Sequence, residues 1–182
     1  MGINLRSEFV KGALVLACAL AGFFTAPLRA DPPAAVEQIP DGVLGNHGDP
    51  PIRIDQNEVL ITKNSFRPPI EITIVAKTDS KNLRISYTAM DVIFNWEGDE
   101  SQLRVDGGPG DGKHQENKGL IPANKYVTIR WDVTNTQESI YVDDDLRFQN
   151  TADYSKIDKP ISVFGYGGSI IRVMSLTTRQ LP

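Results

Sequence analysis

The stretch IEITIVAK places Ile70, Ile72, Ile74 and Ala76 on one side of the chain and Glu71, Thr73 and Lys77 on the other. The segment YVTIRWDV repeats the pattern, with Val127, Ile129, Trp131 and Val133 against Thr128, Arg130 and Asp132. A period of two is the mark of a half-buried strand, because successive side chains leave opposite faces of a pleated backbone. Further β-branched and aromatic segments predict strands at 59–62, 83–88, 92–96, 102–105, 139–142, 146–149, 161–164 and 170–177. No segment carries the spacing of a long helix. The last of these, IIRVMSLTT, alternates poorly, which predicts a bulge or a strand buried on both faces.

So many short strands in one continuous stretch call for two sheets packed face to face, because a single sheet leaves its apolar face in water. The fold class is therefore all-β, a two-sheet antiparallel β-sandwich of the jelly-roll type. Asn135–Gln137 and Asp143–Asp145 supply the turns that join three consecutive strands.

Before the strands the chain differs in kind. Arg6 and Lys11 precede an apolar run of 13 residues, Gly12–Phe24, and small Ala30 follows. That run is shorter than the roughly 20 residues of a membrane helix, so residues 1–30 are expected to be a cleaved signal peptide. Cys18, the only cysteine, lies within it, and lipidation there is an alternative that Leu16 disfavours. Cleavage near Ala30 leaves 152 residues, exported to the periplasm or the outside, with no disulfide and no membrane-inserted segment. Residues 31–55, rich in Pro and Gly, are expected to form an extended leader carrying an exposed His47, with the sandwich over 56–182. Removing Arg6, Lys11, Arg29 and Glu8 takes a net +2 from the formal −4 and leaves −6. Such a chain repels nucleic acid and anionic lipid.

YVTIRWDVTNTQESIYVDDDLRF resembles the strand–turn–strand hairpin of concanavalin A-like and laminin-G-like sandwiches, with Asp144 where that pattern has glycine. IEITIVAKTDSKNLRISY and SIIRVMSLTTRQLP resemble the early and last strands of secreted bacterial domains in the same superfamily, among them relatives of the 3-keto-disaccharide hydrolase family. The resemblance spans 58–182 and implies a glycan-associated domain, either a binding module or a degenerate hydrolase relative.

The stretch RVDGGPGDGKHQENKG has four glycines between Gly107 and Gly112. A phosphate cradle needs those glycines to open a helix, and none follows. Asp106, Asp111 and Glu116 are a candidate calcium set without a recognised spacing, so the expectation is no cofactor, with calcium as the alternative. His114, the only histidine of the strand-rich part, is a candidate base that lacks a nucleophile signature. The whole segment 106–119 is expected to be a solvated excursion that contributes little to stability.

NWEGDE places Glu97, Asp99 and Glu100 in a turn after a strand, and VDDDL places three aspartates in another. Paired carboxylates serve glycosidases when they flank a sugar, whereas turns leave them solvated. Trp131 is in phase with the core. Trp96 is in phase with Val92 and Phe94, which favours burial, yet its place at a strand end makes it a candidate sugar platform together with Glu97. Tyr166, in the GYGG segment, and Tyr154 are rim candidates. The candidate ligand-binding set is thus Trp96, Glu97, Asp106, Asp111, His114 and Tyr166. The function expected is non-catalytic binding of a polysaccharide or cell-envelope glycan. The alternatives are a glycoside hydrolase, with two acids drawn from Glu97, Asp99, Glu100, Asp106, Asp111 and Glu116, and an envelope protein-interaction module.

Overall fold

The computed structural model describes residues 50–182 and the backbone of the strand Ala34–Ile39. The apolar leader, Cys18, Ala30 and His47 lie outside the described residues. Twelve strands follow in order: β1 (Ala34–Ile39), β2 (Ile52–Ile54), β3 (Glu58–Thr62), β4 (Ile70–Thr78), β5 (Leu83–Ser86) and β6 (Asp91–Phe94), then β7 (Arg104–Asp106), β8 (Val127–Val133), β9 (Gln137–Val142), β10 (Asp145–Thr151), β11 (Ser162–Gly165) and β12 (Ile171–Gln180). They form two six-stranded sheets, β1-β3-β11-β5-β6-β7 and β10-β9-β8-β4-β12-β2. The fold is an all-β jelly-roll sandwich, antiparallel throughout except where β1 runs parallel to β3. No helix among the described residues is long and apolar enough to cross a membrane.

The period-two segments are strands as expected. Along β4 buried and half-buried residues alternate without a break. β4 lies between β8 and β12 in the second sheet. β12 carries the expected bulge, between Val173 and Ser175, and the interruption leaves Met174 exposed. The strands begin earlier than the expected start of the sandwich, since both β1 and β2 fall within 31–55. Pro50 and Pro51 are compatible with β2 because it is a three-residue edge strand, paired only to β12, beginning just after them.

The core lies between the sheets. Ile72, Ile74, Ile129 and Trp131 from the second sheet meet Leu60, Ile85, Phe94 and Val105 from the first. Tyr87 and Trp131 pack edge to face, with centroids 6.1 Å apart at 89°. A carboxylate sits among them. Glu138 is 1% exposed, and its Oε2 accepts hydrogen bonds from the Thr88 hydroxyl at 2.5 Å and from Trp131 Nε1 at 3.1 Å. Its Oε1 accepts one from the Tyr154 hydroxyl at 2.7 Å, and that hydroxyl accepts one from Asn150 Nδ2 at 2.6 Å. Asn150 Oδ1 in turn accepts from Lys113 Nζ at 2.6 Å. Tyr154 is therefore a core residue, not a rim residue, and burial pushes its hydroxyl pKa upward.

The glycine-rich segment is not the loosely held excursion expected from its composition. It includes a 3-10 turn, Gly108–Gly110, whose Gly110 is buried. A Cβ on Gly110 would stand 3.2 Å from Glu138 Oε1 and 3.3 Å from Phe148. One on Gly108, at φ 69°, would strike the Thr88 carbonyl, and one on Gly119 the Gln102 carbonyl. Leu103 and Gln115 exchange backbone hydrogen bonds across the segment at 2.8 and 2.9 Å. Here the glycines allow backbone to approach backbone, so the loop forms one wall of the core.

Candidate functional site

The open face of the first sheet is built from two rows of cross-strand neighbours. In one row Phe164, Arg84, Ile93 and Arg104 lie side by side on β11, β5, β6 and β7. In the next row Asp91 on β6 stands directly opposite Asp106 on β7. Ile93 points away from the intersheet core yet is only 1% exposed. The neighbouring side chains cover it, and together they line a cleft of about 390 Å³ whose floor is Ile93.

Strict alternation would send Trp96 into the core with Val92 and Phe94. It does not, because Asn95 adopts a left-handed backbone, φ 50°, and breaks the phase. Asparagine is among the few residues with a side chain that tolerate this conformation. Asn95 is itself buried: its Nδ2 donates to the Ile121 carbonyl at 2.9 Å and the Ser80 carbonyl at 3.1 Å, and its Oδ1 accepts from Ile121 N–H at 2.7 Å. Trp96 is thereby half-buried and lines the cleft. The Arg104 guanidinium lies 4.5 Å from the Trp96 ring centroid, a cation–π distance. The Gly98 backbone also packs on the indole, since a Cβ there would come within 2.6 Å of it. Asn95→Ala is expected to destabilise the domain by about 2 kcal/mol, because the Ile121 and Ser80 groups lose their buried partner. Denaturant unfolding of the variant checks this, and an unchanged midpoint would mean that Asn95 does not hold the turn.

At the other end of the cleft Tyr166, exposed after β11, faces the Arg84 guanidinium at 4.5 Å. Arg84 is the better covered of the cleft's two cations, its side chain 12% exposed against 32% for Arg104, and donates to Asp91 at 3.0 Å, to Asn82 at 3.2 Å and to Glu97 at 3.5 Å. Arg104 Nε donates to both oxygens of Asp106, at 3.0 and 2.8 Å. Burial pushes the Asp91 carboxyl up; Arg84 draws it back, and the Asp106 charge opposite adds a further upward push. The chemistry assembled is two aromatic faces, two guanidiniums and two carboxylates, Glu97 and Asp106, around an apolar floor, with a third carboxylate, Asp91, paired to Arg84 outside the lining. That set suits a ligand with one apolar face and many hydroxyls.

The structure thus gathers Trp96, Glu97, Asp106 and Tyr166 and leaves the other candidates apart. Asp111 accepts from Gly107 N–H at 2.6 Å and closes a turn. His114 Nδ1 accepts from Val105 N–H at 3.2 Å, a structural role. Glu116 is exposed, and among the described residues no three His, Cys, Asp or Glu converge as metal ligands, so the set Asp106, Asp111 and Glu116 is not brought together. Asp99 is held below the usual carboxylate range by the Ser101 hydroxyl and N–H that close its turn, while Glu100 pairs with Lys81 at 3.0 Å on the surface. Sequence reasoning missed Arg84, Asp91, Ile93 and Arg104. Their signal was present in LRIS and LRVD, two strands with arginine in the polar phase, but only the register shows that both flank β6.

No family model and no curated protein matches the chain. Solved structures do. A beta-glucanase of Bacillus licheniformis superposes with TM-score 0.55 at 13% identity, covering 72% of this chain and 79% of its own. An endo-acting O-glycanase of the human gut microbiota gives 0.55 at 10% identity, over 72% and 80%. The galectin LEC-6 of Caenorhabditis elegans gives 0.50 at 15% identity, over 76% and 96%. At such identities the likeness is one of fold, the concanavalin-like and galectin-like sandwich, and it leaves the resemblance to the 3-keto-disaccharide hydrolase family unconfirmed.

Proposed function

We propose that this chain is an exported, non-catalytic domain that binds glycan in the cleft over β5, β6 and β7. The observation that carries the reading is Trp96, turned out of the core by Asn95 and presented beside Arg104 over Ile93, opposite the Tyr166–Arg84 pair. An indole covers the C–H face of a pyranose, and guanidiniums and carboxylates at its edge meet the hydroxyls as donors and acceptors. The sandwich of galectin and glucanase neighbours is compatible with this reading at the level of fold. Screening the purified protein on a polysaccharide panel is expected to give retention above a control protein. Trp96→Ala is expected to weaken it about 30-fold, the effect of removing an aromatic anchor worth about 2 kcal/mol. Retention that survives this change would place binding elsewhere, and no retention on any glycan would overturn the reading.

A hydrolase is the second reading, because Glu97 and Asp106 line one cleft. Against it, both already accept hydrogen bonds from guanidinium N–H groups, an arrangement that suits acceptors rather than a proton donor to a glycosidic oxygen. Release of reducing ends from a bound polysaccharide, lost in Asp106→Asn, would favour it.

A further inference from the structure

Two arginines in a cleft suggest an anionic ligand, but here the surrounding carboxylates outnumber them. Arg84 is engaged by Asp91 and Glu97, and Arg104 by Asp106. Glu97 and Asp106 balance the two guanidiniums in the cleft lining, and Asp91, paired to Arg84 outside that lining, leaves the cluster one negative charge in excess. That excess is placed by the register, because Asp91 and Asp106 are direct cross-strand neighbours on the open face. Like charges directly opposite on adjacent strands are unfavourable, and a cationic donor laid against them relieves the repulsion. Asp106 is the more accessible of the two, its side chain 32% exposed against 17% for Asp91, and it lines the cleft.

We propose that the cleft selects a sugar carrying a free, protonated amino group, which donates to Asp106, and rejects acidic sugars. The inference rests on the glycan-binding reading of the same cleft. A ring stacked on Trp96 with its substituents over Ile93 meets Asp106 on the neighbouring row. An N-acetyl group replaces that charge with a neutral amide, and a uronate brings a charge of the same sign as the excess.

The test is calorimetric titration of the full chain with short oligomers of glucosamine, N-acetylglucosamine and galacturonic acid. Glucosamine oligomers are expected to bind about tenfold more tightly than the N-acetylated ones, the effect of one charge-assisted hydrogen bond, and galacturonate to bind weakest. Asp106→Asn is expected to bring the first ratio close to one. Should that variant not fold, raising the salt concentration on the native chain is expected to shrink the same ratio. Because the chain is acidic overall, a cationic oligomer can adhere elsewhere, and Trp96→Ala separates the two cases: the preference must vanish with the platform. A preference that survives Trp96→Ala, N-acetylated oligomers bound as tightly as free amines, or galacturonate bound tightest would each overturn this inference alone. A chain that binds neutral glycans without the amine preference keeps the broader reading, whereas one that binds no glycan of any kind loses both.

Discussion

Glu138→Ala is expected to destabilise the domain by about 4 kcal/mol, the largest effect of any single carboxylate change among the described residues. The substitution strands three buried donors, the Thr88 hydroxyl, Trp131 Nε1 and the Tyr154 hydroxyl, and leaves a cavity beside Phe148. Thermal unfolding is expected to show a fall on the order of 10 °C for a domain of this size. Glu138→Gln, which keeps the volume, is expected to cost less and to reveal a pH dependence. Burial pushes the Glu138 carboxyl up, and the Thr88, Tyr154 and Trp131 hydrogen bonds and the Lys113 charge only partly offset it. The folded chain therefore holds this proton more tightly than the unfolded chain does. The stabilisation is fully present below the unfolded glutamate value and is lost as pH rises through the folded one. Asp55, Asp99 and Asp153, held low by hydrogen bonds from Arg53, Ser101 and Ser155, act in the opposite sense in both proteins. The difference between native and Gln melting temperatures isolates Glu138, and it is expected to narrow as pH rises. A constant difference would mean that the carboxyl keeps an ordinary affinity for its proton.

Gly108→Ala and Gly112→Ala together decide what the glycine-rich segment does. Both positions are left-handed, at φ 69° and 71°, so each alanine bears a conformational cost of about 1–2 kcal/mol. At Gly112 a Cβ meets nothing, whereas at Gly108 it strikes the Thr88 carbonyl, which is backbone and cannot rotate away. Gly108→Ala is therefore expected to cost about 2 kcal/mol more than Gly112→Ala, because the overpacked wall must shift as a unit. Equal losses in denaturant unfolding would restore the picture of a solvated excursion. The pair works as an internal control, since the two substitutions share chemistry and backbone region and differ only in what surrounds them.

The fold was legible wherever one face of a strand is wet. β4 and β8 alternate so regularly that their edges and facing are readable from Ile70–Lys77 and Val127–Val133. The turn at Asp143–Asp144 was legible as well, though not that both residues take positive φ. β1 was not, because a single pairing to β3 sits in a stretch whose Pro and Gly content masks it. The site was half legible. Trp96, Glu97, Asp106 and Tyr166 were found by residue type and position in the strand–turn order. The phase rule sent Trp96 the wrong way, because one left-handed asparagine reverses facing without changing the apolar pattern. Asp111 and His114 lie outside the cleft, each accepting a backbone N–H, from Gly107 and from Val105. Glycine content was equally ambiguous, since it marks both freedom and close contact, and only the neighbours tell which.

The way the chain alternates between layers has a kinetic consequence. Consecutive segments enter the first sheet, cross to the second and return, so neither sheet is made from one continuous piece of polypeptide. β4 finds one partner in β8 and the other in β12, and the Glu71–Arg179 ion pair across that second pairing closes 108 positions of sequence. Contacts of such separation must be searched for against chain entropy before they return any stability, which places this architecture among slow folders. Until β12 docks, β4 and β2 both present unpaired backbone edges, the template for association between chains. A copy in which residues 171–180 have not yet paired would leave those edges open, so the docking of β12 between β4 and β2 is what closes that template for association.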